Sequence, residues 1–396
     1  MEKYLSDQNY YEGLRNATRK KGGQKRKYRR AQYYRSHIEE IKPRMMEYAA
    51  NFKNAKHTPK LINDGITRKV RSIIVPSMPE QVIHHMIINV LQPIFMKGMY
   101  EHSYGSIPGR GALKGRKNRR RKGKKRKHKN TRSGQEAIEK WIRHDRRGMK
   151  YCLKMDIRKY FDSIPHDILK AKLAKLIHDE AFLKVLFEIV DAVPGDRGIP
   201  IGFYTSQWFA NWYLTELDHY IKEVLRVKHY IRYMDDMVMF GSNKRELHRV
   251  RREVERYLNE RLGLELKDNW QVFLFDYVRP DGTHRGRDLD FMGLRFFRDK
   301  TILRKAIMLK ATRKARRIAK KTNRTIYDCH QMLSYLGWID CTNTYEMYRK
   351  RIKPYVNFGK LKRRVSNYQR RNNQNGLVQS RIRKLDETGR DGHDLK

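Results

Sequence analysis

Four consecutive residues, Tyr233-Met234-Asp235-Asp236, stand between two short apolar runs, Tyr230-Ile231 before them and Met237-Val238-Met239-Phe240 after. Apolar runs interrupted by a tight polar pair read as the two arms of a hairpin. Two adjacent carboxylates at such a tip are costly to place near a core unless a cation sits on them. Divalent metal ions meet that need, because hard cations take oxygen ligands. A third carboxylate, Asp156, closes another apolar strand, Tyr151-Cys152-Leu153-Lys154-Met155-Asp156-Ile157. Alone, an Asp-Asp pair is usually a turn or a helix cap, and a strand-end Asp only a terminus. Three carboxylates in this order, with helical patterns between them, make those ordinary explanations fail together.

Composition says what such a site would act on. The 396 residues carry 90 Lys+Arg against 43 Asp+Glu, a formal net charge of +47. A solvated surface needs nothing like this, whereas a polyanion does, so nucleic acid is the leading partner and anionic membrane a weak second. No stretch approaches the roughly 20 apolar residues of a membrane span. The N-terminus, Met-Glu-Lys-Tyr-Leu-Ser, lacks the charged-then-apolar pattern of a secretory signal. Cys152, Cys329 and Cys341 are odd in number without CxxC spacing, which suits reduced thiols of a cytosolic protein.

The pattern along the chain divides into residues 1–113, 114–133, 134–300, 301–358 and 359–396. The first stretch is basic and Tyr-rich, with a partly helical segment over 20–35. It continues into a strand, Lys69 to Val75, a helix over 80–100 and a loop at Tyr104 to Gly111. Lys114 to Arg132 contains no acid and almost nothing apolar, so it reads as an insertion that is disordered or ordered by RNA. From Gln135 the pattern is globular. It predicts a helix to Arg147, the Asp156 strand, a helix opened by Pro165, one over Ala181–Val190, and one long helix over Ser206–Val227. A charged amphipathic helix is expected at Lys244–Leu262, strands at Trp270–Tyr277 and Asp290–Phe297, basic helices from Lys305 to Tyr355, and a mobile polar tail from Lys360.

In-line attack by a 3′-hydroxyl with loss of pyrophosphate requires two divalent ions held a few ångströms apart. Asp156 and Asp235 form the natural bridging pair, Asp236 completes or orients the site, and the carbonyl of Ile157 is a further candidate ligand.

Here the residues resemble the reverse transcriptases, over about Lys69 to Tyr355. Arg68-Lys69-Val70-Arg71-Ser72-Ile73 looks like the fingers strand whose basic residues hold an incoming triphosphate. Ser103-Tyr104-Gly105 with Pro108-Gly109-Arg110-Gly111 is similar to the second family motif. Asp156-Ile157-Arg158-Lys159-Tyr160-Phe161 and Tyr233–Asp236 match the two catalytic motifs, and Phe161 falls at the aromatic gate against a ribose 2′-hydroxyl. Asp290-Phe291-Met292-Gly293-Leu294 resembles the primer grip, through Gly293 and Leu294. Tyr335-Leu336-Gly337-Trp338 resembles part of a helical thumb. The sixth motif usually carries a Lys shortly after Leu-x-Leu. Here Trp270 is near that position and Lys267 is the substitute candidate for nucleotide binding.

The resemblance implies an α+β right-hand polymerase with fingers, a palm built on a small antiparallel sheet, and a helical thumb. It implies two Mg²⁺ ions, with Mn²⁺ as a substitute, bound by Asp156, Asp235 and Asp236. The implied partners are dNTPs, template RNA and the RNA/cDNA duplex, in the cytoplasm of a bacterial or phage-infected cell. One segment narrows it. Gly198-Ile199-Pro200-Ile201-Gly202-Phe203-Tyr204-Thr205-Ser206-Gln207 carries Ile201-Gly202 and Ser206-Gln207 where most bacterial relatives have Gln-Gly and Ser-Pro. That variant is similar to reverse transcriptases of diversity-generating retroelements, which copy a template-repeat RNA with errors at adenines and often work with a basic helical accessory protein that is a homo-oligomer. Ile201 offers no hydrogen bond to the nascent base pair, so geometric checking should loosen. Retron, group II intron-like and antiphage defence enzymes share the carboxylates but do not predict Ile201 with Gln207. No Cys/His metal spacing follows the thumb, which weighs against an intron-type endonuclease segment. A non-catalytic RNA-binding protein on a degenerate polymerase is opposed by the presence of all three carboxylates.

Overall fold

The computed structural model describes residues 1–19, 25–63, 70–114 and 132–371. Lys69, Arg68 and most of the basic insertion fall outside them. The chain divides into two compact units, Met1–Asp299 and Lys300–Lys396.

The first unit is built on a five-stranded sheet. Its strands are β1 (Ser103–Tyr104), β2 (Tyr151–Asp156), β3 (His229–Tyr233), β4 (Asp236–Gly241) and β5 (Gln271–Leu274), in the spatial order β1-β3-β4-β2-β5. Pairing is antiparallel except at β1, which runs parallel to β3. The expected antiparallel sheet is therefore present with one short parallel edge. The apolar runs explain its centre: Cys152, Leu153, Met155, Tyr230, Ile231 and Met237 to Phe240 are all buried. Strands apolar on both faces must be covered on both.

Helices supply the cover. In Lys244–Leu262 the residues Leu247, Val250, Val254, Leu258 and Leu262 are buried, a spacing that puts one apolar stripe on the sheet and leaves the charged face in water. Ser77 and Glu80 close a capping box at the start of Met78–Gly98, and that helix is buried along most of its length. The expected strand at Lys69–Val75 appears as Val70–Ile73, paired with Lys60–Asn63 in a two-stranded ribbon.

One packing feature gives the fold a pH dependence. His84 is fully buried in the Met78–Gly98 helix, with Nδ1 3.0 Å from the Thr205 hydroxyl. Burial, then the neighbouring His85 and His57, push its pKa down to about 3. The buried Glu80 faces His57, not His84. The unfolded chain takes up this proton near pH 6.5 while the folded one resists it. Stability should therefore be intact above about pH 6.5 and fall by up to about 1.4 kcal/mol per pH unit as pH drops toward 3. Urea titrations of wild type and His84→Gln between pH 4 and 7 check this, the variant showing the shallower slope.

Several expected elements are interrupted. The long helix predicted over Ser206–Val227 is instead Tyr204–Tyr213, a break at Leu214, Thr215–His219, and a π turn over Tyr220–Val224 closed by Leu225 N–H donating to the Tyr220 carbonyl at 3.0 Å. The break turns Asp218 inward to meet a buried arginine. Of the strand expected at Trp270–Tyr277, only Gln271–Leu274 joins the sheet. Asp276 takes φ 24°, and Tyr277–Val278 pairs with His284–Arg285 instead. The strand expected at Asp290–Phe297 is a hairpin, Leu289–Phe291 against Leu294–Phe296. It turns through Met292 (φ 52°) and Gly293 (φ 81°), a two-residue loop of the kind that needs positive φ.

The second unit is helical after the strand Thr301–Leu303: Lys305–Ala319, Ile326–Asp340, Tyr345–Arg351 and Phe358–Arg371. The last of these corrects the tail expected from Lys360. Phe358, Leu361 and Val365 recur at helical spacing and are buried, which gives this otherwise polar helix one apolar stripe.

Candidate active site

The register of the sheet assembles the carboxylates. Asp156, the last residue of β2, lies directly opposite Asp236, the first of β4, and Tyr233 of β3 completes the row. Met234 and Asp235 form the two-residue connection between β3 and β4. Met234 adopts φ 55°, a left-handed conformation uncommon for a residue with a side chain.

The Asp235 carboxyl lies beside that of Asp156. Burial first, then the Asp156 charge, push the Asp235 carboxyl up to about 7. Oδ1 of Asp156 is buried without a hydrogen-bond partner among the described residues. Two cations face these groups. Lys267 Nζ donates to Oδ2 of Asp156, and its backbone N–H donates to the Asp156 carbonyl at 2.9 Å. Lys154 Nζ lies 3.6 Å from Oδ2 of Asp236 and donates to the Asp290 carbonyl at 2.7 Å. Two adjoining carboxylates, one with an unsatisfied buried oxygen, form a donor set that suits a divalent cation. Among the described residues no group of three or more His, Cys, Asp or Glu could hold a metal ion by itself. Substrate phosphates would have to supply the remaining oxygens.

The other expected site residues fall as follows. Ile157 is buried at the strand end and bridges to Leu266. Phe161 lies on the short helix Tyr160–Ser163, and its carbonyl accepts the Ile199 N–H at 2.8 Å, which seats the start of the Ile199–Phe203 loop against that helix. In that loop the Ile201 carbonyl accepts the Ile74 N–H at 2.8 Å. Gly202 adopts φ 121°, and a Cβ there would meet the Ile74 carbonyl oxygen at 2.0 Å. Only glycine permits that approach, which ties the strand bearing Arg71 to the loop bearing Ile201.

Ser206 is buried and Gln207 half-buried in the first turns of Tyr204–Tyr213. Arg71 is exposed on its ribbon, and Lys69 lies outside the described residues. Lys267, the candidate for nucleotide binding, pairs with Asp156 through Nζ and through its backbone N–H. Gly293 is at the tip of its hairpin with Leu294 buried behind it, and Lys154 links that hairpin to β2.

Lys154 is the residue that sequence reasoning passed over. It is two residues before Asp156 on one strand, hence on the same face, and that alternation was the available signal.

A family model described as Reverse transcriptase (RNA-dependent DNA polymerase) matches residues 54–296, which hold every strand of the sheet and all three carboxylates. The chain belongs to the reverse transcriptase family. Curated relatives of this reverse transcriptase include the Putative COX1/OXI3 intron 2 protein of Saccharomyces cerevisiae, 34% identical over 86 residues (19% of this chain, 10% of that protein). The Putative COX1/OXI3 intron 1 protein of the same yeast is 24% identical over 168 residues, covering 40% and 17%. An Uncharacterized 91 kDa protein in cob intron of Schizosaccharomyces pombe is 25% identical over 173 residues, covering 42% and 19%. The matched segments thus span less than a fifth of each relative. Among solved structures, telomerase from Candida albicans in complex with the TWJ fragment of telomeric RNA aligns at TM-score 0.43 and 13% identity, covering 84% of this chain and 64% of that one. Apo telomerase from Candida tropicalis aligns at TM-score 0.44 and 13% identity, covering 80% and 61%. Among the described residues no helix is long and apolar enough to cross a membrane.

Proposed function

We propose that this reverse transcriptase polymerises dNTPs on an RNA template, and that it makes error-prone cDNA from a template-repeat RNA for targeted mutagenesis (mutagenic retrohoming). The observation that carries the polymerase reading is the Asp156–Asp235 pair, opposed by Asp236 across the sheet and carrying a buried oxygen that has no hydrogen-bond partner among the described residues. Asp156 and Asp235, with Asp236, would hold two Mg²⁺ ions, or Mn²⁺ in their place. Bound there, such ions activate a primer 3′-hydroxyl and steady the departing pyrophosphate.

The remaining roles belong to the chain. The 3′-oxygen bonds to the α-phosphorus as the bond to pyrophosphate breaks, and Lys69 and Arg71 neutralise the triphosphate as charge clamps. Phe161, braced through its carbonyl by Ile199, closes the space beside a ribose 2′-position. Gly293 and Leu294 hold the primer end. The basic segments grip RNA by its phosphates, with a steep salt dependence.

The error-prone reading is supported by Ile201. Its carbonyl accepts the Ile74 N–H, which anchors the loop, and an apolar side chain at 201 would offer a base pair none of the hydrogen bonds of a glutamine amide. The same reading carries a basic homo-oligomeric accessory protein and a cytoplasmic setting in a bacterium or phage-infected cell. A second reading, an enzyme of the group II intron type, is favoured by the relatives, all three of which are intron proteins by name.

Sequencing cDNA made on an adenine-containing RNA template separates the two. Frequent misincorporation opposite adenine, reduced by Ile201→Gln, is the expected result. Faithful copying by wild type would favour the intron-type reading, and an unchanged spectrum in the variant would remove Ile201 as the cause.

A further inference from the structure

Behind the catalytic turn is an ion pair that contributes no atom to the carboxylate cluster. Asp218 and Arg232 are both 0% exposed and joined at 2.5 and 2.8 Å through two guanidinium nitrogens. Tyr230 donates its hydroxyl to Asp218 at 2.6 Å, and the remaining guanidinium bonds go to backbone carbonyls. Nη1 donates to Met234 at 2.9 Å and Nη2 to Asn211 at 3.2 Å. The Asn211 side-chain amide reaches the same turn at Met234 Sδ, 3.1 Å away, and also donates to the Gly105 carbonyl at 2.9 Å and, within its own helix, to the Gln207 carbonyl at 3.0 Å.

Packing alone does not call for this arrangement. Well-packed apolar residues of similar volume commonly replace a buried ion pair at little loss of stability. The strained element is Met234, whose φ of 55° places Asp235 and which, as a non-glycine residue, needs outside support. Its carbonyl, its sulfur and its N–H, the last bonded to the Tyr104 carbonyl at 3.1 Å, are each held by a different segment. The helix break at Leu214 and the π turn after His219 are what bring Asp218 under Arg232. Local distortions of helices of this kind often mark functional sites.

We propose that Asp218, Arg232 and Asn211 form a brace that sets the position of Asp235 and Asp236 and links the turn to the helix following Ile201-Gly202. These are positioning residues, since none reaches the reacting atoms. Burial opposes the guanidinium charge, yet Asp218 prevails and raises the Arg232 pKa above its ordinary value, so the brace stays charged at working pH. Lysine at 232 would keep the charge pair but, as a single point donor, could not also span the Met234 and Asn211 carbonyls. The inference rests on the polymerase reading above.

The test measures dNTP incorporation on an RNA template with an annealed DNA primer for wild type, Arg232→Lys and Asn211→Ala, together with RNA affinity and thermal midpoint. For a displaced catalytic turn, Arg232→Lys should lose about 10²-fold in kcat, and Asn211→Ala about tenfold. KM for dNTP and affinity for RNA should stay at wild-type values in both, and kcat is taken per RNA-binding site counted by titration, because a smaller folded fraction would lower rate and site count in the same proportion and leave kcat per site unchanged. If Arg232→Lys does not fold, Asn211→Ala decides by itself. A wild-type kcat in Asn211→Ala, or a loss confined to KM, overturns the brace. An inactive wild type would instead overturn the polymerase reading and leave its failure distinct.

Discussion

Asp235→Asn combined with Asp236→Asn is expected to abolish Mg²⁺-dependent dNTP incorporation while leaving RNA binding near wild type. Asparagine keeps the shape of each side chain but removes the negative charge that a divalent cation needs, so at least about 10³-fold should be lost from kcat. The fold should survive. Asp235 is destabilised as a carboxylate by burial and by Asp156, and losing its charge relieves that repulsion. Primer extension beside filter binding of the same preparations checks both halves. Retained synthesis would contradict the assignment of the two carboxylates.

The second large effect concerns the basic insertion. Residues 115–131 contain no acid, and removing them should weaken binding to RNA by about 10²-fold or more at low salt. The anchors at either side are ordinary structure: Lys114 Nζ pairs with Glu139 at 3.1 Å, and Arg132 and Ser133 pair in parallel with Arg110 and Gly111. Those contacts should keep the unfolding midpoint of the shortened protein close to that of wild type. The slope of log affinity against log salt should flatten, by about 0.7 to 0.9 for each phosphate contact removed. Equal slopes for the two proteins would mean that the insertion touches no phosphate.

The polymerase core was legible in the sequence because its signals are local. An apolar strand ending in Asp156 and a hairpin tipped by two acids declare themselves without any knowledge of packing. Their juxtaposition follows from register once β2 and β4 pair. The long helix over Ser206–Val227 was misread because its apolar spacing continues through Leu214. The break at Leu214 goes with the buried pair that Asp218 forms with the distant Arg232, and a window of local periodicity contains no trace of that partner. The helix Phe358–Arg371 was missed for the opposite reason. Its three buried apolar residues are sparse among basic ones, so composition masked a short but sufficient stripe.

Lys267 and Lys154 show the same limit at the site itself. The sequence offered Lys267 as a nucleotide ligand and said nothing of Lys154. Lys267 pairs with Asp156 and Lys154 lies beside Asp236, where each offsets charge that a bound cation would otherwise balance. The spacing of Gly202 to Ile74 was likewise invisible, since neither residue is unusual until the loop and the ribbon meet.

Copying of RNA into DNA at Asp156, Asp235 and Asp236 is tested by primer extension with the purified protein, a DNA primer annealed to a defined RNA template, dNTPs and Mg²⁺. DNA products should grow to the template end, require the RNA template and vanish in the Asp235→Asn, Asp236→Asn protein. RNA binding without any template-dependent extension by wild type, under either Mg²⁺ or Mn²⁺, would contradict it.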